Sequence, residues 1–196
     1  MRTCRKCKQW GLEFSRNYRP EEFIEGNPKA PVWLIGINPK NKTGFQDKRT
    51  TNDLKRYFRG NDIHPYFHDF ETVSQKICEN FGNKVAHTDL IKCFSPKWPL
   101  YRNFDKNAII KNCSEYLICQ IKKYMPKIII CNGADVSKYF TKAFNILDQN
   151  ETSAIINVEG NDVVILFSGF IGRIDNYSKK RLGKEFERIA SERNVF

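Results

Sequence analysis

Four short apolar runs, PVWLIGINP (31–39), VAHTDLIKCF (85–94), KIIICNG (127–133) and NDVVILFSGF (161–170), alternate with stretches patterned as amphipathic helices. Runs this short and this continuously apolar suit strands buried on both faces, and the helices between them supply the covering layers. The helical patterns cover residues 50–60, 70–82, 105–125, 134–144 and 178–193. The alternation predicts an α/β fold, a three-layer α/β/α sandwich around a central four-stranded, mainly parallel sheet. No repeat or long linker divides the chain, so residues 1–196 read as one domain, with residues 1–20 contributing a metal-bound N-terminal segment.

In such sheets ligands bind beyond the carboxyl ends of the strands. The loops expected there are Gly36 to Phe45, Asp89 or just beyond, Asn132-Gly133, and Ser168 to Arg173. Three of the four contain glycine, which permits close backbone approach to a ligand.

Seven cysteines are present. Cys4-Arg-Lys-Cys7 places two sulfurs on one turn, with basic neighbours that favour the thiolate needed for ligation. Two ligands do not close a site; Cys93, after a predicted strand, and Cys113, within a predicted helix, are placed to supply the other two. A four-thiolate site suits zinc or an iron–sulfur cluster, and spacing alone does not choose between them. Cys78, Cys119 and Cys131 read as small core residues.

No apolar run is long enough to span a bilayer, and the start MRTCRKCKQW has no apolar signal region, so a cytoplasmic protein without a membrane partner is expected. Reduced thiols accord with that compartment. The net charge of +11, spread along the chain, calls for a polyanionic partner or else marks a solvated basic surface. No nucleotide cofactor is expected, and the protein is expected to act as a monomer.

The motifs resemble those of the uracil-DNA glycosylase superfamily, particularly its small iron–sulfur, family 4-like branch. The N-terminal CxxC is similar to that branch's first ligand pair. HTDLIKCFSP is similar to its TNxxKCxPP strand, with the third ligand at Cys93, and NCSEYLICQIKKYMPKIIICNGADV to the segment that begins at the fourth, Cys113. The resemblance implies a [4Fe–4S] cluster, zinc being the alternative, that staples the fold near a DNA-binding face. The loop GINPKNKTGF resembles the first catalytic motif, in the Gly-Ile-Asn-Pro form of the mismatch-type and single-strand-selective branches rather than GExPG. It implies that Asn38 holds the attacking water, that Gly36 and Ile37 line the pocket with Asn132, and that Phe45 stacks on an extruded base.

Two positions depart from the family pattern. Uracil-excising relatives carry an Asn where this chain has Asp89; an ionised carboxylate only accepts, so it repels uracil O4 and suits the N4 amino donor of cytosine. His87 and Thr88 are further hydrogen-bonding groups beside it. Relatives also carry His-Pro-Ser or Asn-Pro-Ser after the last strand, where this chain reads Ser168-Gly169-Phe170-Ile171-Gly172-Arg173. The three histidines, His64, His68 and His87, lie elsewhere, so Arg173 is the candidate cation for the departing base. Phe170 or Ile171 is the candidate wedge. Ser168, Gly169, Lys179, Lys180 and Arg181 are candidate DNA contacts, the last three at the start of the final helix.

The expected function is therefore a monofunctional DNA glycosylase that flips out and hydrolyses off a pyrimidine. A modified cytosine, as in phage DNA with a defence role, is the favoured base, since an enzyme removing plain cytosine would attack its own genome. The alternatives are a classical uracil-DNA glycosylase of base excision repair, a catalytically silent nucleic-acid-binding member, and an unrelated four-cysteine zinc protein.

Overall fold

The computed structural model describes residues 2–40, 47–61, 63–95, 97–100 and 104–193. Phe45, the expected stacking residue, lies outside them. Near the N-terminus β1 (Arg2–Cys4) and β2 (Phe14–Arg16) form a small antiparallel ribbon. The chain then runs through β3 (Val32–Gly36), α1 (Thr51–Arg56), α2 (Tyr66–Val73), α3 (Gln75–Cys78), β4 (Val85–Asp89), α4 (Lys106–Tyr124), β5 (Ile128–Asn132), α5 (Ala134–Ala143), β6 (Asn145–Gln149), β7 (Ser153–Val158), β8 (Asn161–Ser168) and α6 (Asn176–Glu192).

The main sheet has the order β4-β3-β5-β8-β7-β6. Its first four strands run parallel, and they are the four apolar runs of the sequence. The expected four-stranded sheet is thus extended to a mixed sheet of six by β6 and β7, which pair antiparallel on the β8 edge. A two-residue turn at Glu159-Gly160, both with positive φ, joins β7 to β8, the turn geometry whose twist matches a hairpin.

Side chains alternate across the sheet. Trp33, Ile35, Ile129 and Cys131 face a layer containing Ile109, Leu117 and Ile121 of α4 and Val136 and Phe140 of α5. Val32, Leu34, Ile128 and Ile130 face Phe67 and Phe70 of α2 and Phe186 and Ile189 of α6. This is the three-layer sandwich. The predicted helix over 70–82 is divided: α2 stops at Val73, and Ser74 in extended conformation caps α3 through Ile77 N. Cys78 and Cys131 are buried as expected, but Cys119 is exposed, because α4 buries Cys113, Leu117, Gln120 and Ile121 and position 119 falls off that stripe.

Candidate functional site

β3 and β4 are parallel neighbours with Gly36 opposite Asp89, so the two loops that follow leave the sheet side by side. Backbone bonds continue beyond the strands: Leu90 N donates to Gly36 O, Ile91 N to Ile37 O and Ser95 N to Pro39 O. Asn38 is held within this seam. Its Nδ2 donates to Ser95 Oγ at 2.7 Å and to Pro39 O at 3.2 Å, which leaves Oδ1 as the acceptor. Ser95 Oγ in turn donates to Lys97 O at 2.8 Å.

Asp89 is 3% exposed, and its Oδ2 has no hydrogen-bond partner among the described residues. Burial raises its pKa to about 6, the cations His87 and Lys92 opposing the rise and Glu25 adding to it. Lys92, 1% exposed, secures the strand end: Nζ donates to Asp89 O at 2.5 Å, Thr88 Oγ1 at 2.7 Å and Gln120 Oε1 at 2.7 Å. Thr88 therefore works inward, donating to Phe23 O at 2.5 Å. His87 lies on the opposite side of the strand, with Nδ1 2.9 Å from Glu25 Oε2 and Nε2 3.8 Å from Asp89 Oδ1.

Asn132, at the end of β5, bridges two neighbours. Its Nδ2 donates to Tyr66 Oη at 2.7 Å and its Oδ1 accepts from Ile171 N at 3.0 Å. Its amide thus positions the wall of the site rather than standing free for a base. Tyr66 is the group it presents, close enough to Asp89 that burial, then the carboxylate, push its pKa well above the usual phenol range.

In the final loop the expectations divide. Phe170 is 46% exposed, with the Arg173 guanidinium 5.7 Å above its ring. Ile171 is fully buried in the α2–α6 core and cannot be the wedge; its side chain anchors the loop. Ser168 donates its hydroxyl to Cys131 O at 2.8 Å and is turned into the sheet, while Gly169 is exposed with open space about it. Lys179 is also corrected: it is 6% exposed and its Nζ is paired with Asp69 at 2.7 Å, so it is not free for a phosphate. Lys180 and Arg181 are exposed, and Arg181 lies 5.8 Å over the ring of Tyr177, itself 72% exposed.

The four predicted ligand cysteines gather at the other end of the β4 loop. Cys7, Cys93 and Cys113 are buried and reduced; Cys113 meets both Cys7 and Cys93 at hydrogen-bonding range. Cys4 accepts from Tyr116 Oη at 3.3 Å, and both Cys4 and Cys113 act electrostatically on Lys6. Among the described residues no three His, Cys, Asp or Glu side chains are arranged around one ion. The chemistry of the four cysteines, sulfurs from three distant parts of the chain beside a lysine, fits an all-thiolate centre.

Sequence reasoning missed Glu25, Arg49, Tyr66 and Ser95. Glu25 and His87 are 62 positions apart, and neither has a local pattern that reveals the pairing.

Fold and site together define an α/β domain that presents an amide and a buried acid at the carboxyl edge of a mixed sheet. Residues 23–182 match the family model of the uracil DNA glycosylase superfamily, and the chain belongs to that superfamily. It is 32% identical over 165 residues to a type-4 uracil-DNA glycosylase of Sulfurisphaera tokodaii, covering 83% of this chain and 62% of that protein. It is 28% identical over 154 residues to the type-4 uracil-DNA glycosylase of Saccharolobus solfataricus, covering 74% and 58%. The chain thus spans about three-fifths of the length of these relatives. Their type accords with the branch its motifs resemble. Among the described residues no helix is long and apolar enough to cross a membrane.

Proposed function

We propose that the protein is a monofunctional DNA glycosylase that extrudes a pyrimidine nucleotide and hydrolyses its N-glycosidic bond, leaving an abasic site. The favoured base is a cytosine carrying an added group, as in phage DNA, with a role in defence. The observation that carries this reading is Oδ2 of Asp89, a buried acceptor beside Gly36 that has no partner among the described residues, where uracil-excising relatives are expected to hold an amide.

Asn38 cannot deprotonate water, but its Oδ1 can orient one toward C1′ while its Nδ2 is tied to Ser95. As the base departs with the bonding pair, positive charge grows on the sugar and negative charge on the base. The Arg173 guanidinium at the loop stabilises the base, and the attacking water gives its proton to solvent or to the departing base. Phe170 fills the vacated stack, and Lys180 and Arg181 hold phosphates. Cys4, Cys7, Cys93 and Cys113 would hold a [4Fe–4S] cluster, or zinc, which supplies a cross-link between the N-terminal ribbon, the β4 loop and α4.

The test is release of free base from duplexes containing uracil, cytosine and 5-substituted cytosines. Release of a substituted cytosine is expected, and release of uracil alone would overturn the cytosine reading. The second reading, uracil excision, is favoured by the names of the relatives and by the raised pKa of Asp89, since a protonated acid can donate to O4.

A further inference from the structure

His87 and Asp89 are two residues apart on β4 and so share one face of the strand. The position of His87 is doubly fixed. Its backbone exchanges both hydrogen bonds with that of Glu25, at 2.8 and 2.9 Å, and its Nδ1 meets Glu25 Oε2 at 2.9 Å. The other Glu25 oxygen accepts from Arg49 Nη1 at 2.6 Å, and Arg49 also grips Asp47, which accepts from Tyr18 Oη at 2.6 Å. Burial works to raise the Glu25 pKa, but the His87 hydrogen bond and the charges of His87 and Arg49 outweigh it and keep the carboxyl ionised.

An ionised Glu25 only accepts, so Nδ1 of His87 must carry hydrogen. The proton count can then change only at Nε2, which faces Asp89 Oδ1. We infer that the Glu25–His87 pair determines base specificity by holding the first proton of the site on His87 Nε2, 3.8 Å from Asp89 Oδ1, so that Asp89 stays a carboxylate whose Oδ2 accepts from a 4-amino group and is closed to a 4-carbonyl. With one proton at the site the pair is imidazolium and carboxylate, and Oδ2 accepts. Only a second proton, on Asp89, turns Oδ2 into a hydroxyl donor that welcomes O4.

The charged and titratable groups facing His87 come from several elements. They are Glu25 and Arg49 from the segments before β3 and α1, Tyr66 of α2 with its ring 6.0 Å away, and Asp89 and Lys92 of β4 and its loop. Replacing His87 with Phe removes the cation beside Asp89 and moves its protonation upward. Replacing Glu25 with Gln removes an anion that raises Asp89's proton affinity and moves it downward.

The inference rests on the proposed preference for an amino pyrimidine, and the experiment separates the two. Base release is measured from pH 5 to 9 on matched duplexes carrying 5-hydroxymethylcytosine or 5-hydroxymethyluracil, which differ in the group at position 4 and, with it, in the hydrogen at N3. The wild-type protein is expected to prefer the amino base at least tenfold at pH 8 and to lose that preference on acidification. His87→Phe is expected to move this crossover up by at least one pH unit, and Glu25→Gln to move it down. Crossovers that stay in place in either folded variant, or move in the same direction in both, would overturn the inference while the amino preference stands. A wild-type preference for the carbonyl base at pH 8 would instead sink the reading beneath it. General structural damage lowers both rates and does not shift the crossover in opposite directions.

Discussion

A Cβ atom built on Gly36 would stand 2.3 Å from Asp89 Oδ1 and 3.4 Å from His87 Nε2. The two residues face each other in register at the ends of β3 and β4, so the acid lies directly over the glycine. Gly36→Ala is therefore expected to displace the carboxylate with little effect on the backbone, whose conformation there is ordinary strand. Overpacking costs about 1–3 kcal/mol, and a misplaced Asp89 should lower base release by at least about tenfold. Parallel measurement of melting temperature and release checks this; undiminished release would show that Asp89 does not need its present seat.

Asp89 also makes stability depend on pH. Its pKa rises from 3.8 to about 6 in the folded state, so the folded protein binds this proton more tightly than the unfolded chain. Its contribution is most favourable below the unfolded value and is lost as pH climbs through about 6. Asp89→Asn removes the buried charge and is expected to gain, relative to wild type, on the order of 2 kcal/mol more at pH 8 than at pH 4. Urea unfolding at the two pH values measures it; an equal effect at both would mean that the carboxyl titrates normally.

Gly183 marks the closest approach of α6 to α2, where an added Cβ would fall 1.6 Å from Val73 O. Backbone cannot yield as a side-chain end can. Gly183→Ala should force the helices apart and lower unfolding free energy by about 3 kcal/mol, read from the denaturant midpoint. A loss below about 0.5 kcal/mol, the range of ordinary surface changes, would contradict this packing.

Lys179 and Lys180 are neighbours with opposite roles. Lys179 is buried against Asp69, which is one-third exposed, so Lys179→Met should cost about 2 kcal/mol of stability, less than a fully buried pair. Exposed Lys180→Met should leave stability alone and reduce the salt dependence of DNA binding by about one ion. Thermal melts and binding titrations across salt concentrations separate the two.

The difference between those lysines was not legible in the sequence, because both sit in one basic run and only the rotation of α6 distinguishes them. The four central strands were legible since burial on both faces leaves continuous apolar runs. β6 was not: as an exposed edge strand, its NILDQ carries no such run. The Glu159-Gly160 turn, between the apolar segments SAIINV and NDVVILFS, is a hairpin signal that the sequence does carry. Asn38 and Asp89 could be placed because motifs at strand ends fix their position. Their supports, Ser95 and Glu25, come from other segments, where only folding reveals the contact.

Three of the predicted ligand cysteines are buried near one another although they come from residues 4–7, the β4 loop and α4. The hydrogen bond with Cys7 favours the Cys113 thiolate, but that with Cys93, and then burial, outweigh it and push the thiol up to about 12; a bound cation would reverse this by favouring thiolates. Protein purified without oxygen is expected to be brown, with absorbance near about 400 nm. Cys113→Ser should abolish the colour and lower the melting temperature by freeing the N-terminal ribbon from α4. Exposed Cys119→Ser should change neither, which guards against general thiol chemistry as the source. A colourless wild-type protein with stoichiometric zinc would assign the site to zinc, and one with neither metal would leave these cysteines as packing residues.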